Sequence, residues 1–152
     1  MNNLPVIDKI KKQLEVFPNL PLVQEGNTLF VEPRDSNGFK VLVDDNSTDF
    51  VVFCDGWSYD ILTDFESVAK LFVFSLTAAA RLLVREKNQK RYWWLLETCL
   101  NGEWGGIEVT FRPGQYSFFT KKKSYYLQND WINIEDLKPW ISENFTANRI
   151  KF

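Results

Sequence analysis

The sequence predicts an α+β fold in which a buried central helix packs against a largely antiparallel sheet. Apolar residues recur at helical spacing near the N-terminus and again between residues 64 and 79, whereas the intervening and following segments alternate as strands do. The predicted order is an N-terminal helix, a three-stranded antiparallel meander, the central helix, a second antiparallel meander of three to five strands and a short C-terminal helix. A chain of 152 residues fits a single domain, 1–152.

The first element is an amphipathic helix that begins near Pro5 and ends near Pro18. A proline suits the first helical position, because the N–H that it lacks would have no partner there. Lys11 and Lys12 lie on the polar side of this helix. The opposite side is apolar and carries Val6, Ile7, Ile10, Leu14 and Phe17.

The first meander is predicted to have three strands, at residues 29–32, 39–43 and 50–54. Two registers compete for its first hairpin. A two-residue Asn37-Gly38 turn pairs Val31 with Asp44, whereas a five-residue loop over residues 34–38 pairs Val31 with Val41. We expect the longer loop, because it places apolar residues opposite apolar residues on one face.

The central helix is predicted to begin at Asp64. Thr63 and Glu66 fit a capping box, in which the Thr63 hydroxyl accepts from the Glu66 amide and Glu66 reaches back to Thr63. Glu66 and Lys70 form an i,i+4 pair on the wet side. The buried side carries Phe65, Val68, Ala69, Phe72, Val73, Leu76 and Ala79. The longest uncharged run, residues 71–80, is about half of a membrane span, so no membrane association is expected.

The second meander is predicted at residues 82–86, 92–100 and 107–111, with further strands at 116–121 and 124–128. Asn101-Gly102 is a type I′ hairpin signal that places Leu100 opposite Glu103. The same register places Trp94 opposite Val109 on the core side, together with the pairs Leu96 with Ile107 and Tyr92 with Phe111. Gly105-Gly106 predicts a β-bulge that increases the twist.

The reverse side of this predicted hairpin is unusually apolar. Trp93, Leu95 and Trp104 lie there beside Glu97, Glu108 and Thr110. The solvent-exposed face of an ordinary antiparallel sheet carries mainly polar side chains. Another element or a binding partner is therefore expected to cover this side.

The last element is predicted to be interrupted. Pro139 cannot donate an interior helical hydrogen bond. A short turn over residues 134–137 followed by a helix over 139–145 is therefore expected.

The composition excludes several classes of chemistry. No histidine is present, which removes the commonest general base and every Ser-His or Cys-His nucleophile. Cys54 and Cys99 alone cannot form an ordinary structural zinc site, and the acidic residues between 44 and 66 lack the pattern of a calcium loop. The glycines are scattered through turns, so no phosphate-binding loop is present. We expect no cofactor and no metal.

Three consecutive lysines, residues 121–123, are the feature most typical of nucleic-acid binding, because Phe118-Phe119 and Tyr125-Tyr126 flank them. Lysines at a hairpin tip or sheet edge also discourage association between sheets, and this second interpretation is preferred. The 18 basic and 20 acidic side chains give a net charge of −2, which favours no general attraction to nucleic acid.

A second candidate site lies between Asp55 and Asp60. Gly56 lets the backbone bend there, and Trp57 and Tyr59 leave the end of a strand just before the central helix. These two rings either line a binding site or pack over the start of the helix. A small-ligand pocket, or a weak enzyme that uses Asp55 or Asp60, is the alternative function.

Five short features carry a family resemblance: Asp55-Gly56-Trp57, a Phe-rich helix ending in Ser-Leu-Thr, Arg81-Leu82, a strand that contains Tyr and Trp, and Tyr126-Leu127-Gln128-Asn129. Together they resemble small uncharacterised bacterial proteins over about the last hundred residues. The resemblance implies a bacterial, cytosolic origin and no particular activity. The order of elements also looks like that of small acidic secretion chaperones, from which the long second meander departs.

We therefore predict a non-catalytic cytosolic module that binds another protein, either immunity-like or chaperone-like, and that can form a homodimer. Its binding residues are predicted to be Trp93, Trp104, Glu97 and Glu108, with Trp57 and Tyr59 as further candidates. The cytoplasmic location follows from the two cysteines in apolar strands and from the absence of a secretory segment after Met1.

Overall fold

The computed structural model describes residues 6–47, 49–62, 64–100, 102–111 and 122–144. Within these ranges the fold is mixed α+β, with two antiparallel sheets. The helices are α1 (Val6–Gln13), continued by a 3-10 turn (Leu14–Val16), α2 (Phe65–Phe74) and α3 (Ile134–Asn144). The strands are β1 (Leu22–Glu25), β2 (Thr28–Val31), β3 (Val41–Asp45), β4 (Phe50–Cys54), β5 (Trp57–Leu62), β6 (Ala80–Lys87), β7 (Lys90–Leu100), β8 (Glu103–Phe111) and β9 (Lys122–Leu127).

The first sheet has five strands in the order β1-β2-β3-β4-β5. Val31 pairs with Val41, which confirms the register predicted for the longer loop. The sequence prediction missed β1 and β5, the two edge strands. β1 has four residues that are mostly exposed, so it offers no apolar alternation, and it turns into β2 at Gly26, whose φ is 59°.

The start of α2 differs from the predicted capping box. Asp64 is the N-cap, and its carboxylate accepts hydrogen bonds from the Ser67 amide (2.9 Å) and from the Ser67 hydroxyl (2.8 Å). Thr63 lies outside the described residues. Lys70 is buried, with its ammonium 4.0 Å from Glu66, so it does not lie on a wet side as predicted. Because α2 ends at Phe74, Ala79 is not helical.

The second sheet has the strand order β8-β7-β6-β9. β6, β7 and β8 form an antiparallel meander of three strands, and the chain then passes from the edge at β8 to the opposite edge, where β9 pairs with β6. The predicted strand over residues 116–121 lies outside the described residues. Asn88 and Gln89 both have positive φ, of 50° and 64°, and form the two-residue turn between β6 and β7.

The β7–β8 hairpin starts in the predicted register and then shifts. Leu100 pairs with Glu103, as predicted, although Asn101 lies outside the described residues. Between Glu97 and Leu96 the register moves by one residue, because Ile107 is the extra residue of a bulge. The predicted pairs beyond this point are wrong: Trp94 faces Thr110 instead of Val109, Leu96 faces Glu108, and Trp93 faces Phe111.

The last helix runs without interruption through Pro139, so the predicted division is wrong. A proline removes one backbone donor, and here the acceptor that loses it belongs to the exposed Glu135. Water can satisfy that carbonyl, and the helix continues.

One cluster of buried side chains joins both sheets and all three helices, including Ile10 of α1, Val43 of β3, Phe72 of α2, Leu96 of β7 and Leu137 of α3. The edges of the two sheets also meet. The Ser58 amide donates to the Thr110 hydroxyl (3.2 Å), which in turn donates to the Ser58 carbonyl (3.4 Å). Among the described helices, none is long and apolar enough to cross a membrane.

Candidate functional site

The side of the second sheet that points away from the core is the candidate site, and we call it the outer face. From the central strands it takes Arg81, Leu83 and Arg85 of β6 and Trp93, Leu95 and Glu97 of β7. From the edge strands it takes Trp104, Val109 and Phe111 of β8 and Lys122, Ser124 and Tyr126 of β9. These residues share one side because cross-strand partners project in the same direction and strand residues alternate.

The outer face collects most of the exposed apolar surface of the described chain. Seven large apolar side chains are exposed among the described residues. Four of the seven belong to this face, with the exposed fractions Trp104 (38%), Val109 (44%), Phe111 (58%) and Tyr126 (49%). The bulge at Ile107 is responsible for two of the four, because it turns Val109 and Phe111 away from the core. The sequence prediction had placed both in the core.

Arg81 contacts two aromatic rings of the outer face. Its guanidinium lies 4.0 Å from the centre of the Trp104 ring and 4.1 Å from the centre of the Tyr126 ring. Its Nε donates to the Glu97 carboxylate at 2.6 Å, and both side chains are largely screened from solvent. Glu97 therefore neutralises Arg81 and is not the exposed acidic neighbour that the sequence predicted.

Arg85 has a different environment at the other end of the outer face. Its guanidinium lies 4.1 Å from the centre of the Trp93 ring, and the side chain is exposed. Among the described residues, no carboxylate pairs with it. A guanidinium stacked on a ring keeps its N–H donors in the plane, so they can still bind a further group.

The charge of the outer face is opposite to that of the chain. Of the charged side chains on this face that reach solvent, Arg81, Arg85 and Lys122 contribute +3 and Glu97 contributes −1, a sum of +2, whereas the chain carries −2. Lys87 pairs with Lys122 and lies on the same side, but its side chain is buried. The register also removes Glu108 from the predicted group, because its backbone pairs with Leu96 and not with a residue of this face.

Asp55, the first residue of the alternative site, joins the two sheets. It occupies the β4–β5 turn with a φ of 54°. One carboxylate oxygen accepts from the Trp94 indole N–H at 2.8 Å, and the other pairs with Arg91 at 2.9 Å. Arg91 also donates to the Tyr125 hydroxyl at 2.8 Å. Both oxygens of Asp55 are thus engaged in structural contacts.

Neither partner in this network titrates near neutral pH. Burial opposes the charged form of Arg91, but the hydrogen bond and the charge of Asp55 outweigh it and raise the pKa of Arg91. Burial raises the pKa of Tyr125, although the hydrogen bond from Arg91 acts in the opposite direction. At physiological pH the arginine is therefore charged and the tyrosine is neutral.

Trp57 and Tyr59 belong to β5, which Trp57 begins, so they do not leave the end of a strand as predicted. Their rings stack at 6.0 Å, but Trp57 has no exposed surface and Tyr59 is half-buried. A partner protein cannot reach Trp57. The side chain of Asp60 lies outside the described part of the chain, so a ligand pocket at residues 55–60 stays a prediction.

Cys54 supplies no reactive group. Burial raises the pKa of Cys54 to about 12, and its thiol contacts the Ser75 hydroxyl at 3.5 Å. Such a thiol is not ionised at neutral pH and is not a nucleophile. Within the described residues, no three His, Cys, Asp or Glu side chains are placed to hold a metal ion.

The lysine cluster divides between two parts of the chain. Lys122 and Lys123 begin β9, an edge strand, where lysines discourage pairing with another sheet. Lys121 and Phe118-Phe119 lie outside the described residues. The expectation that the chain binds no nucleic acid stays a prediction.

Sequence reasoning found Trp93 and Trp104 but missed the two arginines and the exposed Val109 and Phe111. Alternation in β6 could have identified Arg81 and Arg85, because they are two residues from Leu83 on either side. Comparison with known proteins adds no relative: no family model, no curated protein and no solved structure matches the chain.

Proposed function

We propose that the chain is a non-catalytic module that binds another protein through the outer face, as an immunity-like or chaperone-like partner in the cytosol. The observation that carries this proposal is the concentration of exposed Trp104, Val109, Phe111 and Tyr126 on one side of one sheet. Contiguous exposed apolar surface is typical of protein interfaces.

The arrangement of the side chains favours tight binding as well as contact. Trp, Tyr and Arg are the residues that most often anchor interfaces. Here Arg81 already stacks on Trp104 and Tyr126, so these long side chains are partly ordered before a partner arrives. Less conformational entropy is then lost on association.

Two further features support the proposal. Cys54 and Cys99 are both free, as is usual for proteins of a reducing compartment. The alternative site is less favoured, because Asp55 binds Trp94 and Arg91 with its two oxygens and has no free oxygen for a substrate.

A Trp104→Ala variant tests the proposal against a matched control, Phe53→Ala. Both aromatic side chains are similarly exposed, at 38% and 37%, but Phe53 lies on the first sheet. Fragments of the genome that encodes the chain are displayed on phage and selected for binding to the wild type. We expect Trp104→Ala to weaken the binding of the selected fragments by about 2 kcal/mol or more, as is typical of an aromatic anchor. Phe53→Ala should leave their affinity unchanged.

Thermal melts of both variants separate binding from folding. We expect each melting temperature to stay within a few degrees of the wild type. The proposal fails if no fragment is selected, or if binding is lost in Phe53→Ala and kept in Trp104→Ala. A loss of stability of about 3 to 5 kcal/mol in Trp104→Ala would mark the ring as interior and would also contradict the proposal.

A further inference from the structure

We infer that the protein bound by the outer face presents an acidic surface, with a carboxylate that pairs with Arg85. This inference rests on the proposed function and adds the chemistry of the partner. It starts from the contrast between the two arginines of the outer face: Arg81 has a carboxylate partner at 2.6 Å, whereas Arg85 has none among the described residues.

Arg85 is held in a geometry that suits a carboxylate. The Trp93 ring at 4.1 Å covers one side of the guanidinium and leaves its edge accessible. The N–H groups along that edge form a planar fork, which matches the two oxygens of an aspartate or glutamate. Because the stacking fixes the fork, little side-chain freedom remains to be lost on pairing.

The surroundings of Arg85 strengthen such a pair. Arg85, Trp93 and Phe111 form one row across three strands, and Ser124 of β9 continues it. Phe111 is 58% exposed, so a partner that covers this row also removes water from the guanidinium. The Coulomb attraction between the two charges is stronger at the lower local dielectric, and the planar fork supplies the hydrogen bonds that offset the loss of water.

The charge distribution favours the same partner. The solvent-accessible charges of the outer face sum to +2 on a chain of −2, so the face attracts acidic surfaces while the rest of the molecule repels them. Lys122 adds a second cation on β9, near Arg85 and away from the neutralised pair of Arg81 and Glu97.

Nucleic acid is the other polyanion that arginines recognise, and the observations favour it less. The net charge of the chain opposes a phosphate backbone. The face also includes the exposed Val109 and the half-buried Leu95, which are aliphatic and offer bases no ring on which to stack. An acidic protein surface uses both the aliphatic groups and the cation.

The test measures the charge of the selected genomic fragments and their affinity for Arg85→Glu, with Lys12→Glu as the control. Lys12 is an exposed lysine of α1, so its variant changes the net charge by the same amount at a distance from the outer face. We expect the fragments to be enriched in Asp and Glu, and Arg85→Glu to weaken them about tenfold or more while Lys12→Glu has little effect. Arg85→Gln, which removes the charge without reversing it, is expected to give a smaller loss.

Each other outcome overturns the inference in a distinguishable way. Fragments that lose binding with Trp104→Ala but are neither acidic nor sensitive to Arg85→Glu refute the acidic partner and leave the proposed function in place. If no fragment is selected, both fail. A labelled single-stranded oligonucleotide that binds the wild type at physiological salt, and that binds the Arg85→Gln variant much more weakly, would identify phosphate as the ligand. Melts of both Arg85 variants verify that they are folded, as expected for an exposed side chain.

Discussion

At the scale of single residues, the turn of Asp55 and Gly56 shows how one indole ring, that of Trp94, can determine which residue types two positions require. Asp55 binds the N–H of Trp94, and Gly56 lies directly against the same ring. A Cβ added at Gly56 would stand 2.2 Å from a ring carbon of Trp94, which is far inside contact distance. The Asp-Gly-Trp string is therefore explained by packing between the two sheets, without a ligand.

We predict that Gly56→Ala lowers the free energy of unfolding by about 3 kcal/mol. Trp94 is buried and held by Asp55, so it cannot move away from an added methyl group. Urea denaturation measures the change, and Gly105→Ala is the control, because a Cβ there meets nothing within 4 Å. A Gly56→Ala variant as stable as Gly105→Ala would contradict this packing.

Two residue roles in α2 were predicted incorrectly from the sequence. Thr63 and Asp64 are both good helix caps, and the sequence pattern chose the first, whereas the structure uses the second. Lys70 was predicted to be wet because it is charged, yet its side chain is only 4% exposed. Its burial depends on long-range packing that spacing along one helix does not reveal.

At the scale of elements, hairpin registers were predictable and irregularities were not. Loop length and apolar matching predicted the pairing of Val31 with Val41. Gly105-Gly106 predicted a bulge in β8 but did not show that Ile107 would be the extra residue. That single residue decides whether Val109 faces the core or the solvent, and with it the extent of the outer face.

The cap of α2 gives a prediction with a pH dependence. The hydrogen bond from the Ser67 amide, opposed by slight burial and aided by the Ser67 hydroxyl, lowers the pKa of Asp64. The unfolded chain therefore binds the proton more readily than the folded one. The stabilisation is present above the pKa of the unfolded state and is lost as the pH falls through the lower pKa of the folded state.

We expect Asp64→Ala to cost about 1 kcal/mol of stability at neutral pH, as loss of a helix cap does. Asp64→Asn is the matched control, because it keeps an oxygen acceptor but does not titrate. Urea denaturation from neutral to acidic pH measures the free energy of unfolding of both proteins. The wild type should be the more stable at neutral pH, and this difference should disappear in the acidic range. A difference in stability that is constant with pH would refute the role of the ionised carboxylate.

At the scale of the whole molecule, the segment after β9 ties the second sheet to the end of α2. The Asn129 side chain bonds both backbone groups of Phe39 and the carbonyl of Ser75, each at 3.0 Å. The carbonyl of Leu76 accepts from the amides of Trp131 and Ile132. These long-range bonds explain the asparagine of the Leu-Gln-Asn string, and their partners are too distant in sequence for a local pattern to predict.

We predict that Leu76→Asp abolishes folding of both sheets together. The Leu76 side chain has no exposed surface, so an unpaired charge there costs several kcal/mol against a total stability of only about 5 to 15 kcal/mol. Because one buried cluster joins the two sheets, we expect far-UV circular dichroism and tryptophan fluorescence of the wild type to report the same single transition. Val16→Asp, at a side chain that is 62% exposed, is the control and should melt as the wild type does. The chain would not be the single cooperative domain predicted from its length if the wild type showed two separate transitions. The same conclusion would follow if the Leu76→Asp variant kept one sheet folded.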